Sequence, residues 1–169
     1  MGYIINKQVS MWKKSEAKIL VVAGDVSDNL DLSIEYLNEI SNFYEKILFV
    51  DGNHEHVYRY PQLYSTNEIF QKLKQNKNKK IVYLPKEPFI IGDTIFIGYC
   101  GWWDYFKSEE LMKEDMYYFK KWRGDLGPQD GEIFMSNLMH EGEKQIKLLE
   151  ELLKKYEKDN SIKKIIIVL

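Results

Sequence analysis

Apolar residues along this chain gather into short runs that stop abruptly at polar, glycine-bearing loops. Ile19-Leu20-Val21-Val22-Ala23 stops at Gly24-Asp25-Val26-Ser27-Asp28-Asn29, and Ile47-Leu48-Phe49-Val50 stops at Asp51-Gly52-Asn53-His54-Glu55-His56. Runs this short, bounded by turn-forming residues, predict buried strands. Between them Leu30, Ile34, Leu37, Ile40 and Tyr44 recur at three-and-four spacing. That spacing predicts an amphipathic helix over Leu30 to Tyr44, with Asn29 and Asp31 as suitable caps. Strand, helix, strand of this length makes two parallel neighbours in a sheet. Ligands of open α/β sheets bind beyond the carboxyl ends of such strands. Asp25 and Asn53–His54 are therefore expected to face one shared cleft.

The rest of the chain continues the alternation. Ile4, Ile5, Val9, Met11 and Trp12 predict a helix of a few turns leading into the first strand. After His56, the segment Tyr58-Arg59-Tyr60-Pro61 with Tyr64 is an aromatic loop, because Pro61 breaks a helix. Ile69, Phe70 and Leu73 mark one side of a helix from Thr66 to Gln75. The lysines from Lys72 to Lys80 read as its solvated end and loop. Ile81 to Leu84 is a strand stopped by Pro85. Pro88 to Ile91 and Thr94 to Cys100 form a hairpin over Gly92-Asp93. The longest helical pattern, Glu132 to Lys158, sets Ile133, Leu138, Ile146, Leu149, Leu152, Leu153 and Tyr156 against one face of the sheet, and Ile162 to Leu169 is the last strand. His140 falls in that helix and His56 past the second loop; the first is expected to be structural, the second a surface or pocket-rim residue.

Composition narrows the class. At 169 residues the chain is one domain, able to bury roughly 70% of its unfolded surface. With 44% hydrophobic and 30% charged residues it falls among ordinary globular proteins. No apolar run spans a bilayer, and the start lacks a signal-peptide pattern. A formal charge of −2 gives no general attraction to long nucleic acid or to an anionic membrane. The single cysteine, Cys100, offers neither a disulfide framework nor a thiolate metal site, which fits a reducing compartment. Cytoplasmic localisation is expected, and the oligomeric state is open.

Taken singly, Asp25 and Asp28 read as loop caps and His54 as a loop histidine bonded to backbone. Two loops ending neighbouring strands read differently. Gly24-Asp25-Val26-Ser27-Asp28 matches a GD-x-x-D motif and Gly52-Asn53-His54-Glu55 a GNH-[ED] motif, and together they make the chain resemble the calcineurin-like metallophosphoesterases. The resemblance implies an α/β fold, a mixed β-sandwich flanked by helices. It implies that Asp25 bridges two divalent metal ions (manganese, iron or zinc), that Asn53 binds one of them, and that His54 assists at the scissile phosphate. Asp28 is expected to hold the loop or orient a histidine. The implied reaction is hydrolysis of a small phosphomonoester or phosphodiester by a metal-activated water.

The family's D-x-H motif and its later histidine motifs have no counterpart here. Residues 1–18 hold neither histidine nor aspartate, and the chain ends in the strand Ile165-Ile166-Ile167-Val168-Leu169. The expectation is a member truncated at both ends, lacking the first strand and the carboxyl-terminal elements, with an incomplete metal site. Two alternatives follow: a catalytically incompetent remnant or fragment that binds a nucleotide or a partner, and an unrelated nucleotide-binding domain. The second is opposed by the lack of a glycine-rich phosphate loop after either strand. Trp102, Trp103 and Asp104, at a strand end, are candidates to line a substrate pocket, since aromatic faces grip flat groups. The aromatic stretch from Tyr117 to Trp122 extends this segment, and Arg123 beside it is a weak phosphate candidate.

Overall fold

The computed structural model describes residues 16–56, 64, 66–101, 108, 110–111 and 131–169, with side chains described except at 66–67 and 131–141. The expected helix before residue 16, the Tyr58–Pro61 loop and most of the aromatic segment 102–130 lie outside these residues.

Six strands form two sheets. β1 (Ile19–Ala23), β2 (Lys46–Val50) and β3 (Ile81–Tyr83) pair in that order, all parallel. β4 (Phe89–Ile91), β5 (Thr94–Gly98) and β6 (Lys164–Val168) form the second sheet, antiparallel between β4 and β5 and parallel between β5 and β6. The helices are α1 (Leu30–Ile40), α2 (Thr66–Lys74) and α3 (Gly131–Tyr156). The architecture is a mixed α/β arrangement of two sheets with helices, the fold that the family resemblance implies.

β2 shows why its run is unbroken. Ile47 and Phe49 point to one face, where they join Leu30, Leu37 and Ile40 of α1 and Ile69 and Leu73 of α2. Leu48 and Val50 point to the other, meeting Leu84 and Val168 with Phe96 and Ile166 packed against them. A parallel strand buried on both faces carries apolar residues at every position rather than at alternate ones. The second contact is the sandwich interface, and Gly98 permits its spacing. A Cβ there would lie 2.6 Å from Cβ of Leu84, with Cγ1 of Val50 closer still.

The local signals act as their chemistry dictates. Asn29 caps α1 by accepting from the N–H of Leu32 at 3.1 Å. The helix ends at Ile40, earlier than the spacing predicts, because Ser41–Phe43 tighten into a 3₁₀ turn. Ser41 Oγ donates to the Asn38 carbonyl at 2.7 Å, the kind of side-chain bond that competes with helix continuation. Gly92 takes φ +57° between β4 and β5, the left-handed first position of a type II′ hairpin. α3 runs through Gly142 without a break, but Ile146 is 58% exposed, so it does not belong to the covering face. The basic stretch is partly engaged: Lys72 bonds Asp31 and Tyr64, and Lys80 bonds the Ser41 carbonyl. Among the described residues no helix is long and apolar enough to cross a membrane.

Replacing Gly98 by alanine is expected to lower the unfolding free energy by about 1–3 kcal/mol, the cost of overpacking a close interface. Urea denaturation with an unchanged m-value checks this; a change within about 0.5 kcal/mol, the range of ordinary surface substitutions, contradicts it.

Candidate functional site

The loop after β1 turns sharply. Gly24 and Asp25 both have left-handed backbones, at φ +69° and +58°. The first suits glycine; the second is uncommon for any other residue, and such conformations persist where their surroundings hold them in place. Glycine is also required by proximity. A Cβ on Gly24 would lie 2.5 Å from the Gly52 nitrogen, and one on Gly52 would lie 2.7 Å from the Asp25 nitrogen, with the Asp25 carboxylate nearer still. The two loops touch backbone to backbone.

Glu55 joins them. Its carboxylate is fully buried and accepts from the N–H groups of Asp25 (2.9 Å), Val26 (2.7 Å) and Ser27 (3.3 Å) in the first loop. It accepts also from the N–H of Gly52 (2.8 Å) in its own loop and from Ser33 Oγ (3.1 Å) in α1. Five donors converge on one buried carboxylate, and bonds to a charged acceptor are the stronger kind. The sequence reading named Glu55 only as a match to the motif. Its span across two loops distant in sequence is what single-chain pattern reading misses.

This brace brings the predicted residues together at an exposed surface. Asp25 Oδ1 accepts from the N–H of His54 at 3.1 Å. His54 Nδ1 donates to Asp28 Oδ1 at 2.5 Å, which leaves Nε2 as the ring nitrogen available to a ligand. Asn53, half-buried, lies between Gly52 and His54, and its backbone carbonyl accepts from the His56 N–H at 3.1 Å. The hydrogen bond to Asp28 raises the His54 pKa above its ordinary value, and the charges of Asp25, Asp28 and Glu55 act in the same direction. Three carboxylates around one imidazole make a local field that favours cations. A carboxylate, an amide and an imidazole are oxygen and nitrogen donors of the kind manganese, iron and zinc accept. Asp25 and Asn53 fit such an ion.

His56 is not at the surface. It is 2% exposed, turned inward by the 3₁₀ turn His54–His56, with its ring edge-on to Phe70 at 5.2 Å. Its Nε2 donates to Asp51 Oδ2 at 2.6 Å, and the Tyr83 hydroxyl donates to Asp51 Oδ1 at 2.6 Å. The run of polar residues from Asp51 to His56 hid this inward turn from a reading by pattern. Trp102, Trp103, Asp104 and Arg123 lie outside the described residues, as does the side chain of His140.

Glu55→Gln swaps one accepting oxygen for an NH₂ facing backbone N–H groups, so at least one donor loses its acceptor. A loss of about 2–4 kcal/mol in unfolding free energy is expected, the scale of one or two bonds to a buried charge. Thermal or urea unfolding reads it, and a change below about 0.5 kcal/mol contradicts the brace. In chelator-treated protein, His54 is expected to titrate above its ordinary value, and Asp28→Asn to bring it down. A raised folded pKa means the pair's contribution is full below the unfolded value of about 6.5 and is lost as pH rises through the folded one. NMR titration of the ring protons tests both, and an unmoved His54 in Asp28→Asn refutes the assignment.

Comparison with known proteins places the chain in a family. A description of the calcineurin-like phosphoesterases matches residues 4–167. The uncharacterized protein L509 of Acanthamoeba polyphaga mimivirus is 32% identical over 101 residues, a match covering 55% of this chain and 36% of that protein. The chain thus aligns with little more than a third of this curated relative. No solved structure matches the chain significantly. With its family description spanning nearly every residue and its two glycine-bearing loops joined at one exposed point, the chain belongs to the calcineurin-like phosphoesterase family.

Proposed function

We propose that this chain carries metal-dependent hydrolysis of a small phosphomonoester or phosphodiester, with water as the nucleophile. The observation that supports it best is the meeting of the two loops, where Asp25 accepts from the His54 N–H and the buried Glu55 carboxylate bonds both loops, with Asn53 next to His54. The reading agrees with membership of a phosphoesterase family.

Phosphate esters resist attack because their oxygens repel a nucleophile and the leaving alkoxide is poor. Divalent metal ions, when bound, supply a water of lowered pKa and neutralise charge on the phosphoryl oxygens. Asp25 would hold such an ion through its exposed carboxylate. Asn53 would add a neutral carbonyl donor without further negative charge, which suits a site for an anionic ester. His54, with Nδ1 engaged by Asp28, presents Nε2 to the substrate, where its imidazolium form donates a proton to the leaving oxygen. Asp28 positions that ring and sustains its charge. Manganese, iron and zinc all suit these donors.

Purified protein supplied with manganese is expected to hydrolyse bis-p-nitrophenyl phosphate or p-nitrophenyl phosphate and to lose this activity with chelator. His54→Ala is expected to lower kcat about 10²–10⁴-fold, the usual worth of a positioned proton donor. Asp28→Asn is expected to lower it about 10–100-fold by loosening the ring's orientation. Metal binding without turnover on either ester would overturn the hydrolytic reading in favour of a nucleotide- or partner-binding domain.

A further inference from the structure

The loop that carries Asn53 and His54 has a second set of donors at its stem, inside the protein. Asp51 precedes the loop directly after β2, and His56 closes it. Cys100, just past β5, comes from the second sheet. A carboxylate oxygen of Asp51, a ring nitrogen of His56 and Sγ of Cys100 all lie within 4.8 Å of one another. The three residues are 1%, 2% and 5% exposed, so they form an interior cluster, unlike the solvent-facing acids of the loop face. Read from sequence, a lone cysteine offered no thiolate site; folding supplies it with a carboxylate and an imidazole.

We propose that Asp51, His56 and Cys100 form a buried structural site for one zinc-class transition-metal ion. The donor set is one reason. Oxygen, nitrogen and sulfur together suit a borderline-soft ion and do not suit magnesium or calcium, which take oxygen donors. Charge is the other. A divalent cation with one carboxylate, one thiolate and a neutral imidazole gives a net charge of zero, which an interior tolerates far better than a lone ion. The ion replaces the thiol proton of Cys100, which is released to solvent; where Nε2 is the ligand, its proton moves to Nδ1 and the imidazole stays neutral. The Tyr83 hydroxyl donates to Asp51 Oδ1 and so orients the carboxylate from outside the donor set. An ion here cross-links the stem of the Asn53–His54 loop to the end of β5 and so ties the two sheets behind the site. The proposal stands on these buried residues and does not require the hydrolytic reading to hold.

Cobalt distinguishes this site from the loop face, because Asp25, Asn53 and His54 contain no sulfur. Chelator-treated full chain, titrated with cobalt(II), is expected to develop a near-ultraviolet sulfur-to-cobalt charge-transfer band that saturates at one equivalent. The band should persist in Asp25→Asn and vanish in Cys100→Ser. His56→Gln should weaken the apparent cobalt affinity by more than about tenfold, an effect reached even by groups that only support a ligand. Zinc should raise the Tm of wild type and of Asp25→Asn but not of Cys100→Ser. No sulfur band in the folded wild-type chain, or an affinity unchanged in His56→Gln, overturns the site. Loss of the band in Asp25→Asn would also overturn it as an independent site.

Discussion

One buried carboxylate holds the candidate site together. Glu55 accepts from both glycine-bearing loops and from α1, so the ends of β1 and β2 cannot separate without leaving a charged group short of partners in the interior. The Gly24–Gly52 contact and the left-handed backbone at Asp25 are geometries that a chain adopts only when something holds them. Glu55 is that constraint. The exposed residues it positions, Asp25 and His54, need make few contacts of their own and remain open to a ligand.

The scaffold beneath follows from one strand. β2 is buried on both faces, with Ile47 and Phe49 fastening it to α1 and α2 and Leu48 and Val50 to the second sheet. A strand gripped this way is a rigid stem for the loop that follows it. The loop departs from that stem through Asp51 and returns through His56, and these two side chains bond each other inside the protein. The exposed donors and the buried ones are thus opposite sides of the same short turn.

Much of this was legible in the sequence, for physical reasons. Short apolar runs bounded by glycine and polar residues mark strands, so β1, β2 and the β4–β5 hairpin fall where the pattern puts them. Asn29 caps α1 because its side chain can reach the Leu32 N–H. The family was legible because two motifs coincide with two strand ends. Other features depend on contacts between segments far apart in the chain. Glu55 bonding a loop 30 residues earlier, His56 turning inward, and Cys100 arriving beside Asp51 leave no periodic trace. Ile146 fits the helical period yet stays exposed, since periodicity gives a face but not its neighbour.

On the proposed function, Glu55 assembles Asp25 and Asn53 as metal donors without touching the ion. Manganese affinity by isothermal titration calorimetry, compared between wild type and Glu55→Gln at a temperature where circular dichroism shows both folded, tests it most directly. A drop of about 10–100-fold, the range for a residue that supports ligands rather than binding the ion, is the predicted result. Equal affinity in the two proteins would mean that the loops hold their geometry without the brace, and would contradict the account.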